Sequence, residues 1–196
     1  MYVITKEMWE KYGKRRSIDA PLREGPFLFP MATALIEAIL KPHMMVLESG
    51  SGGSTIWFAE RAHRVLSYET DFTWHKKVSL ELVRRNLQKK ARVIYAPSLL
   101  EGKMPTYPDI SNKRFDLIFA DSVEQARIEF VKKTIGLTRV LGWYVIDNAN
   151  RPGYVDLLRK VESLGWPRYV VPSIEPGQFF QTNFYRRPAD SADISL

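Results

Sequence analysis

The chain has 196 residues, 45% of them apolar and 26% charged, which suits one globular domain and excludes wholesale disorder, a collagen-like chain and a coiled coil. It has no cysteine, so disulfide frameworks, thiolate zinc sites, iron–sulfur clusters and a cysteine nucleophile are excluded. The 29 basic and 22 acidic residues give a formal charge of +7, and the excess is local: Lys76, Lys77, Arg84, Arg85, Lys89, Lys90 and Arg92 stand against Glu81 alone. Such a patch is either a solvated helix face or a grip for phosphates. Residues 1–16 hold no signal-peptide core, and no stretch approaches the 18 apolar residues of a membrane helix. A cytoplasmic protein without membrane contact is expected.

The elements follow in order. Residues 1–26 read as an N-terminal extension or lid closed by Gly25-Pro26, and Phe27 to Leu40 carries helical apolar spacing that stops at Lys41-Pro42. The run 44–47 is a buried strand entering Gly50-Ser51-Gly52-Gly53, with a helix over 54–63. A strand at 65–68 ends on Glu69, and 72–90 is helical with Leu80, Val83 and Leu87 on one stripe. A strand at 93–95 is followed by a loop over 97–113. The strand 115–120 ends at Asp121, a helix covers 123–137, the strand 140–146 ends at Asp147-Asn148, and a helix covers 154–163. Runs at 169–172 and 179–185, separated by Glu175-Pro176-Gly177, form a hairpin. Residues 188–196 read as a polar tail. This order predicts an α/β fold, a mainly parallel sheet with helices on both faces and one antiparallel strand near its edge.

Ligands of such sheets lie beyond the carboxyl ends of the strands. The informative residues are therefore Glu48, Glu69, Ser98, Asp121, Asp147 and Asn148. Gly50 and Gly52 allow a tight turn and close approach by a ligand, and Ser54 can cap the next helix. Glu69, 21 residues after Glu48 at the next strand end, is placed to accept two ribose hydroxyls. The third glycine of a dinucleotide fingerprint would fall at Thr55, and no Tyr-x-x-x-Lys motif is present, so a nicotinamide-dependent oxidoreductase is a minor reading.

The segments 46–55 (Val-Leu-Glu-Ser-Gly-Ser-Gly-Gly-Ser-Thr), 67–71 (Ser-Tyr-Glu-Thr-Asp), 115–121 (Phe-Asp-Leu-Ile-Phe-Ala-Asp) and 142–148 (Gly-Trp-Tyr-Val-Ile-Asp-Asn) resemble the ordered motifs of class I S-adenosylmethionine-dependent methyltransferases. The resemblance covers roughly residues 27–187, and is nearest to small bacterial members of unassigned substrate. It implies a Rossmann-like three-layer sandwich with a seven-stranded sheet of order 3-2-1-4-5-7-6, strand 7 antiparallel. It implies S-adenosylmethionine as cofactor, held by Glu48, Ser49, Gly50, Ser51, Gly52, Ser54 and Thr55, by Glu69 and Thr70, by Ser98 and Leu99, and by Asp121. Glu48 would lie near the methionine amine, Glu69 on the ribose, and Thr70, Ser98 and Leu99 beside the adenine.

Asp121 with Asp147 and Asn148 is also similar to the metal ligands of catechol-type O-methyltransferases, which implies a possible Mg2+ site. A cap on the strand end that holds the 151–154 loop is the other reading of Asp147-Asn148. That family carries a lysine three residues after the first aspartate; this chain has Glu124 there. Asp121, Glu124 and Asp147 are the candidate catalytic bases. His43, His63 and His75 read as surface residues. Trp9, Tyr12, Phe27, Phe29, Tyr107 and Tyr154 are candidate walls of an acceptor cleft.

The reading that follows is methylation of a small-molecule acceptor, with oxygen slightly ahead of nitrogen. An RNA methyltransferase using the basic helix 76–92 is the alternative, and a catalytically silent binding protein of the same fold is the alternative from another class.

Overall fold

The computed structural model describes residues 22, 25, 26, 28–105, 113–175 and 178–192. Seven strands form one sheet: β1 (Met45–Ser49), β2 (Arg64–Glu69), β3 (Ala91–Tyr95), β4 (Phe115–Ala120), β5 (Thr138–Ile146), β6 (Arg168–Glu175) and β7 (Gln178–Arg186). Their order is β3-β2-β1-β4-β5-β7-β6, and β7 runs antiparallel to both neighbours. The expected topology is observed.

Among the described residues five helices cover the sheet: α1 (Pro30–Ile39), α2 (Gly53–Arg61), α3 (Phe72–Arg84), α4 (Glu124–Thr134) and α5 (Val155–Glu162). The parallel strands are buried on both faces, so alternate side chains feed two cores. Val46, Val65, Leu117, Phe119 and Val145 pack with Ile36, Phe58, Val78 and Leu82 of α1, α2 and α3. Leu47, Tyr68, Ile118, Tyr144 and Ile146 pack with Phe130, Val131, Leu157 and Val161 of α4 and α5. Each fully buried Leu, Ile or Phe here contributes about 1.5–3 kcal/mol of transfer free energy.

Two features of α3 differ from the sequence expectation. It ends at Arg84 rather than near Lys90, because Asn86 turns the chain at φ 59°. Its buried face is Val78 and Leu82, while Leu80 and Val83 are 70% and 55% exposed. Trp74, Val78 and Leu82 recur every four residues, and that stripe meets the sheet. Short 3-10 turns occupy Pro97–Glu101, Ile135–Leu137 and Pro152–Tyr154, so α4 and α5 are shorter than expected.

The winding reverses between β1 and β4, which lie side by side at the centre of the sheet. The carboxyl ends of β2, β1, β4 and β5 are laced together: Asp121 N donates to Ser49 O (2.9 Å), Gly50 N to Tyr68 O (2.8 Å) and Asp147 N to Ala120 O (3.1 Å). This is the switch point where such folds hold ligands. At the far end of β7, the buried Arg187 donates to Thr138 O (2.7 Å), Ser191 Oγ (2.8 Å) and Ala192 O (2.8 Å), tying the chain after β7 to β5.

Candidate active site

The turn after β1 is shaped by Gly50. Its φ is +90°, and a Cβ there would overlap the backbone carbonyl of Asp121. Only glycine lets the β1 turn pass so close to the end of β4. Gly52 has no such need: its φ of 169° is extended, and the nearest atom to an added Cβ is Trp74 Nε1 at 3.7 Å. Ser49 Oγ meets Ser122 Oγ across the same junction.

Glu48 lies under this turn and is fully buried. Its carboxylate accepts hydrogen bonds from Ser54 Oγ and, at 2.6 Å, from Thr55 Oγ1 in the first turn of α2. Thr55 Oγ1 in turn accepts from Gly52 N at 2.9 Å. Burial pushes the Glu48 carboxyl up to about 7, against the pull of the Ser54 and Thr55 hydroxyls. The residue braces the glycine turn against α2 from beneath.

Glu69, at the end of β2, binds two turns at once. Oε2 accepts from Ser51 N (2.9 Å) and Ser51 Oγ (2.8 Å); Oε1 accepts from Thr70 N (2.8 Å) and Asp71 N (2.9 Å). Asp71 caps α3 through Trp74 N at 2.7 Å. Four donors, two on each oxygen, fill the lone-pair sites of the carboxylate, so a ligand hydroxyl would take the place of one of them, the Ser51 hydroxyl being the one that can turn away. Beyond β3, Leu99 is buried and Ser98 is half-buried in the 3-10 turn that borders this side.

Beyond β4 and β5 stands a second constellation. Arg127 of α4, only 3% exposed, reaches over the two strand ends. Its Nη2 donates to Asp121 Oδ1 (3.0 Å) and to Ser122 O; its Nη1 donates to Asp147 O (2.5 Å). Asp147 Oδ1 accepts from Thr182 Oγ1 (2.7 Å) and Oδ2 from Asn148 Nδ2 (2.6 Å). Asn148 holds φ 49°, and its Oδ1 accepts from Arg151 Nη2 at 2.7 Å. Burial, and then the Asp147 charge, push the Asp121 carboxyl well above its usual range; Arg127 opposes them. Burial also raises Asp147. The two carboxyls thus favour holding a proton between them.

The oxygens of Asp121, Asp147 and Asn148 do not fit a divalent-ion ligand set as they stand. Magnesium needs oxygens that converge on one point, away from fixed positive charge. Here Asp121 Oδ1 faces a guanidinium, both Asp147 oxygens accept internal hydrogen bonds, and Asn148 turns its amide N–H2 toward Asp147.

Glu124 sits away from this pair. It faces Arg151 at 3.6 Å and packs on Gly153, clamping the 149–154 loop. Tyr154, in that loop, is fully buried, with Arg127 Cζ 5.8 Å from its ring centre. Phe29 stacks near Phe180 with ring centres 5.6 Å apart. Trp9, Tyr12, Phe27 and Tyr107 lie outside the described residues.

Arg127 is the site residue that sequence reasoning missed. The lysine expected three residues after Asp121 is absent, and the cation stands one helical turn later, on the buried side of α4. The spacing of three to four residues from position 124 was the available signal.

The basic segment is divided. Lys76 and Lys77 lie over the Phe72 and Trp74 rings at 4.3 and 4.7 Å. Arg84 and Arg85 both bind Glu81, at 2.6 Å each, and Arg85 also meets Glu60 at 3.1 Å. Lys89, Lys90 and Arg92 sit at the amino end of β3, opposite the end that carries Glu69 and Asp121. His43 and His63 are exposed, and His75 is half-buried between Phe72 and Tyr95.

The sheet order and layers are those of the Rossmann-like methyltransferase fold. The O-methyltransferase TomG from Streptomyces achromogenes, solved with S-adenosylmethionine, has a TM-score of 0.63 at 17% identity, covering 83% of this chain and 82% of that one. An rRNA methylase from Streptococcus thermophilus has a TM-score of 0.59 at 14% identity, covering 88% of this chain and 99% of that one. The fold therefore does not by itself separate small acceptors from RNA. In sequence, the catechol O-methyltransferase of Mycobacterium tuberculosis is 30% identical over 141 residues, 69% of this chain. The match spans 59% of that relative's length. No protein-family model matches the chain. Among the described residues, no helix is long and apolar enough to cross a membrane.

Proposed function

We propose that the protein transfers a methyl group from S-adenosylmethionine to an oxygen of a small-molecule acceptor. The observation that carries this reading is Glu69, fixed between the glycine turn and the start of α3 at the switch point of this fold. The carboxylate there receives the ribose hydroxyls, and the Gly50 turn lets the cofactor lie against the backbone. Thr70, Ser98 and Leu99 border the adenine side. Glu48 acts from beneath the turn, by holding Ser54 and Thr55, rather than by touching the ligand.

The cofactor supplies an electrophilic methyl on a sulfonium, so alignment of the acceptor provides much of the acceleration. A new C–O bond forms as the S–C bond breaks, and the acceptor hydroxyl gives up its proton. Asp121 stands nearest this exchange, and the Asp121–Asp147 pair in its ionised form takes the proton. The small-acceptor reading rests on the catechol O-methyltransferase relative. It also rests on the position of Lys89, Lys90 and Arg92, at the end of the sheet away from the site.

Calorimetric titration with S-adenosylhomocysteine tests the cofactor assignment. Micromolar binding that is lost in Glu69→Ala is expected, and methylation of catechol-like and other small hydroxyl acceptors is then screened. A protein that binds no S-adenosylhomocysteine refutes the reading.

A further inference from the structure

The proposed site holds a cation of its own. We infer that Arg127 occupies the electrostatic place of a divalent metal, and that this chain methylates its acceptor without one. The inference rests on the methyltransferase reading for the word "acceptor", but its structural basis is independent of it.

Three observations support it. First, the guanidinium is buried and bridges the two strand ends that would supply the ligands, with one N–H group on Asp121 Oδ1 and another on the Asp147 carbonyl. Its planar fork suits two acceptors set side by side, which a lysine could not span. Second, the neighbouring side chains are oriented by bonds within the chain: Thr182 and Asn148 each hold one oxygen of the Asp147 carboxylate, and Arg151 holds Asn148 Oδ1, so Asn148 presents its N–H2 rather than its oxygen to Asp147. A divalent ion would have to break this network and sit beside a fixed positive charge in a poorly hydrated place. Third, two buried donors remain on neighbouring side chains, with Arg127 Cζ 5.8 Å from the centre of the Tyr154 ring. Arg127 Nε–H and the Tyr154 hydroxyl have no hydrogen-bond partner among the described residues. Buried polar groups in folded proteins are almost always paired, and two unpaired donors beside one cation match an oxygen that arrives with a ligand. Arg127 and Tyr154 thus offer the acceptor oxygen what a metal offers elsewhere: positive charge and a fixed direction.

Mn2+ reports on this site by its electron paramagnetic resonance spectrum, without any need for turnover. The titration is run on the whole protein with and without S-adenosylhomocysteine, alongside Arg127→Met, Arg127→Lys and Asp147→Asn. The wild type is expected to leave Mn2+ free up to millimolar concentration. Arg127→Met exposes the carboxylates and is expected to bind the ion at least tenfold more tightly. If that variant does not fold, Arg127→Lys, which keeps the charge, is expected to leave Mn2+ free as the wild type does. Sub-millimolar Mn2+ binding by the wild type that disappears in Asp147→Asn overturns the inference. Failure of S-adenosylhomocysteine to bind overturns the methyltransferase reading, while the Mn2+ result still decides the role of Arg127.

Discussion

Glu69 Oε2 accepts both the backbone N–H and the hydroxyl of Ser51, so the end of β2 is fastened to the turn that follows β1. The same carboxylate holds Thr70 N and Asp71 N through its other oxygen. One side chain therefore shapes the turn after β1 and the start of α3 together, and it is the group to which the proposed function assigns the ribose.

Glu69→Ala is expected to act on both levels. Three buried or half-buried N–H groups lose their acceptor, costing about 1–3 kcal/mol of stability. Loss of two charge-assisted bonds to a ribose weakens S-adenosylhomocysteine roughly 100-fold or more. Thermal melts and calorimetry measure the two effects separately. Undiminished affinity in a folded variant would sink the ribose assignment.

Gly50 and Gly52 look equivalent in the motif and differ in the structure. Gly50→Ala forces a Cβ into the Asp121 carbonyl at positive φ, and is expected to destabilise the protein by roughly 2–4 kcal/mol. Gly52→Ala meets nothing closer than 3.7 Å and is expected to cost under about 1 kcal/mol. Urea melts of the two variants check the contrast, and equal losses would contradict it.

The contrast shows what the sequence carried and what it did not. Buried parallel strands appear as unbroken apolar runs that end on an acid or a glycine, so Glu69, Asp121 and Asp147 were legible as strand ends. The antiparallel β7 was legible because no helix fits between its run and the one before. The face of α3 was not, because Val78 and Leu82 compete with Leu80, Val83 and Leu87 as an apolar stripe, and only the sheet chooses between them. Arg127 was hidden for a similar reason. Helix α4 carries Glu124, Glu129, Lys132 and Lys133 as well, so one inward-facing arginine looks like another solvated charge until Asp121 and Asp147 are brought beside it.

Glu48 makes stability depend on pH. Its folded carboxyl titrates at about 7, above the ordinary 4.5, so the folded state keeps the proton that the unfolded chain has lost. The contribution is full below pH 4.5 and declines as pH rises to 7, a loss of roughly 3 kcal/mol. Glu48→Gln keeps an oxygen for Ser54 and Thr55 without a charge. It is expected to match the wild type near pH 4.5 and to exceed its stability at pH 8, as urea melts at the two pH values would record. A parallel decline in both proteins would remove Glu48 as the cause.

Tyr154 separates a role in folding from a role in binding. Its hydroxyl is buried beside Arg127 and has no partner among the described residues, so in the free protein it carries an uncompensated desolvation cost. Tyr154→Phe removes that cost and is expected to stabilise the protein by about 1 kcal/mol, a rise in Tm of roughly 2–4 °C. On the role inferred for Tyr154, the same change deletes a donor to the acceptor oxygen. KM for the acceptor should rise about tenfold, while affinity for S-adenosylhomocysteine, which the proposed function assigns to the Glu69 side, stays unchanged. Melting curves, calorimetry and steady-state kinetics on one pair of proteins read all three quantities. A lowered Tm would mean that the hydroxyl is paired within the fold. A raised Tm with unaltered KM would place the acceptor oxygen elsewhere.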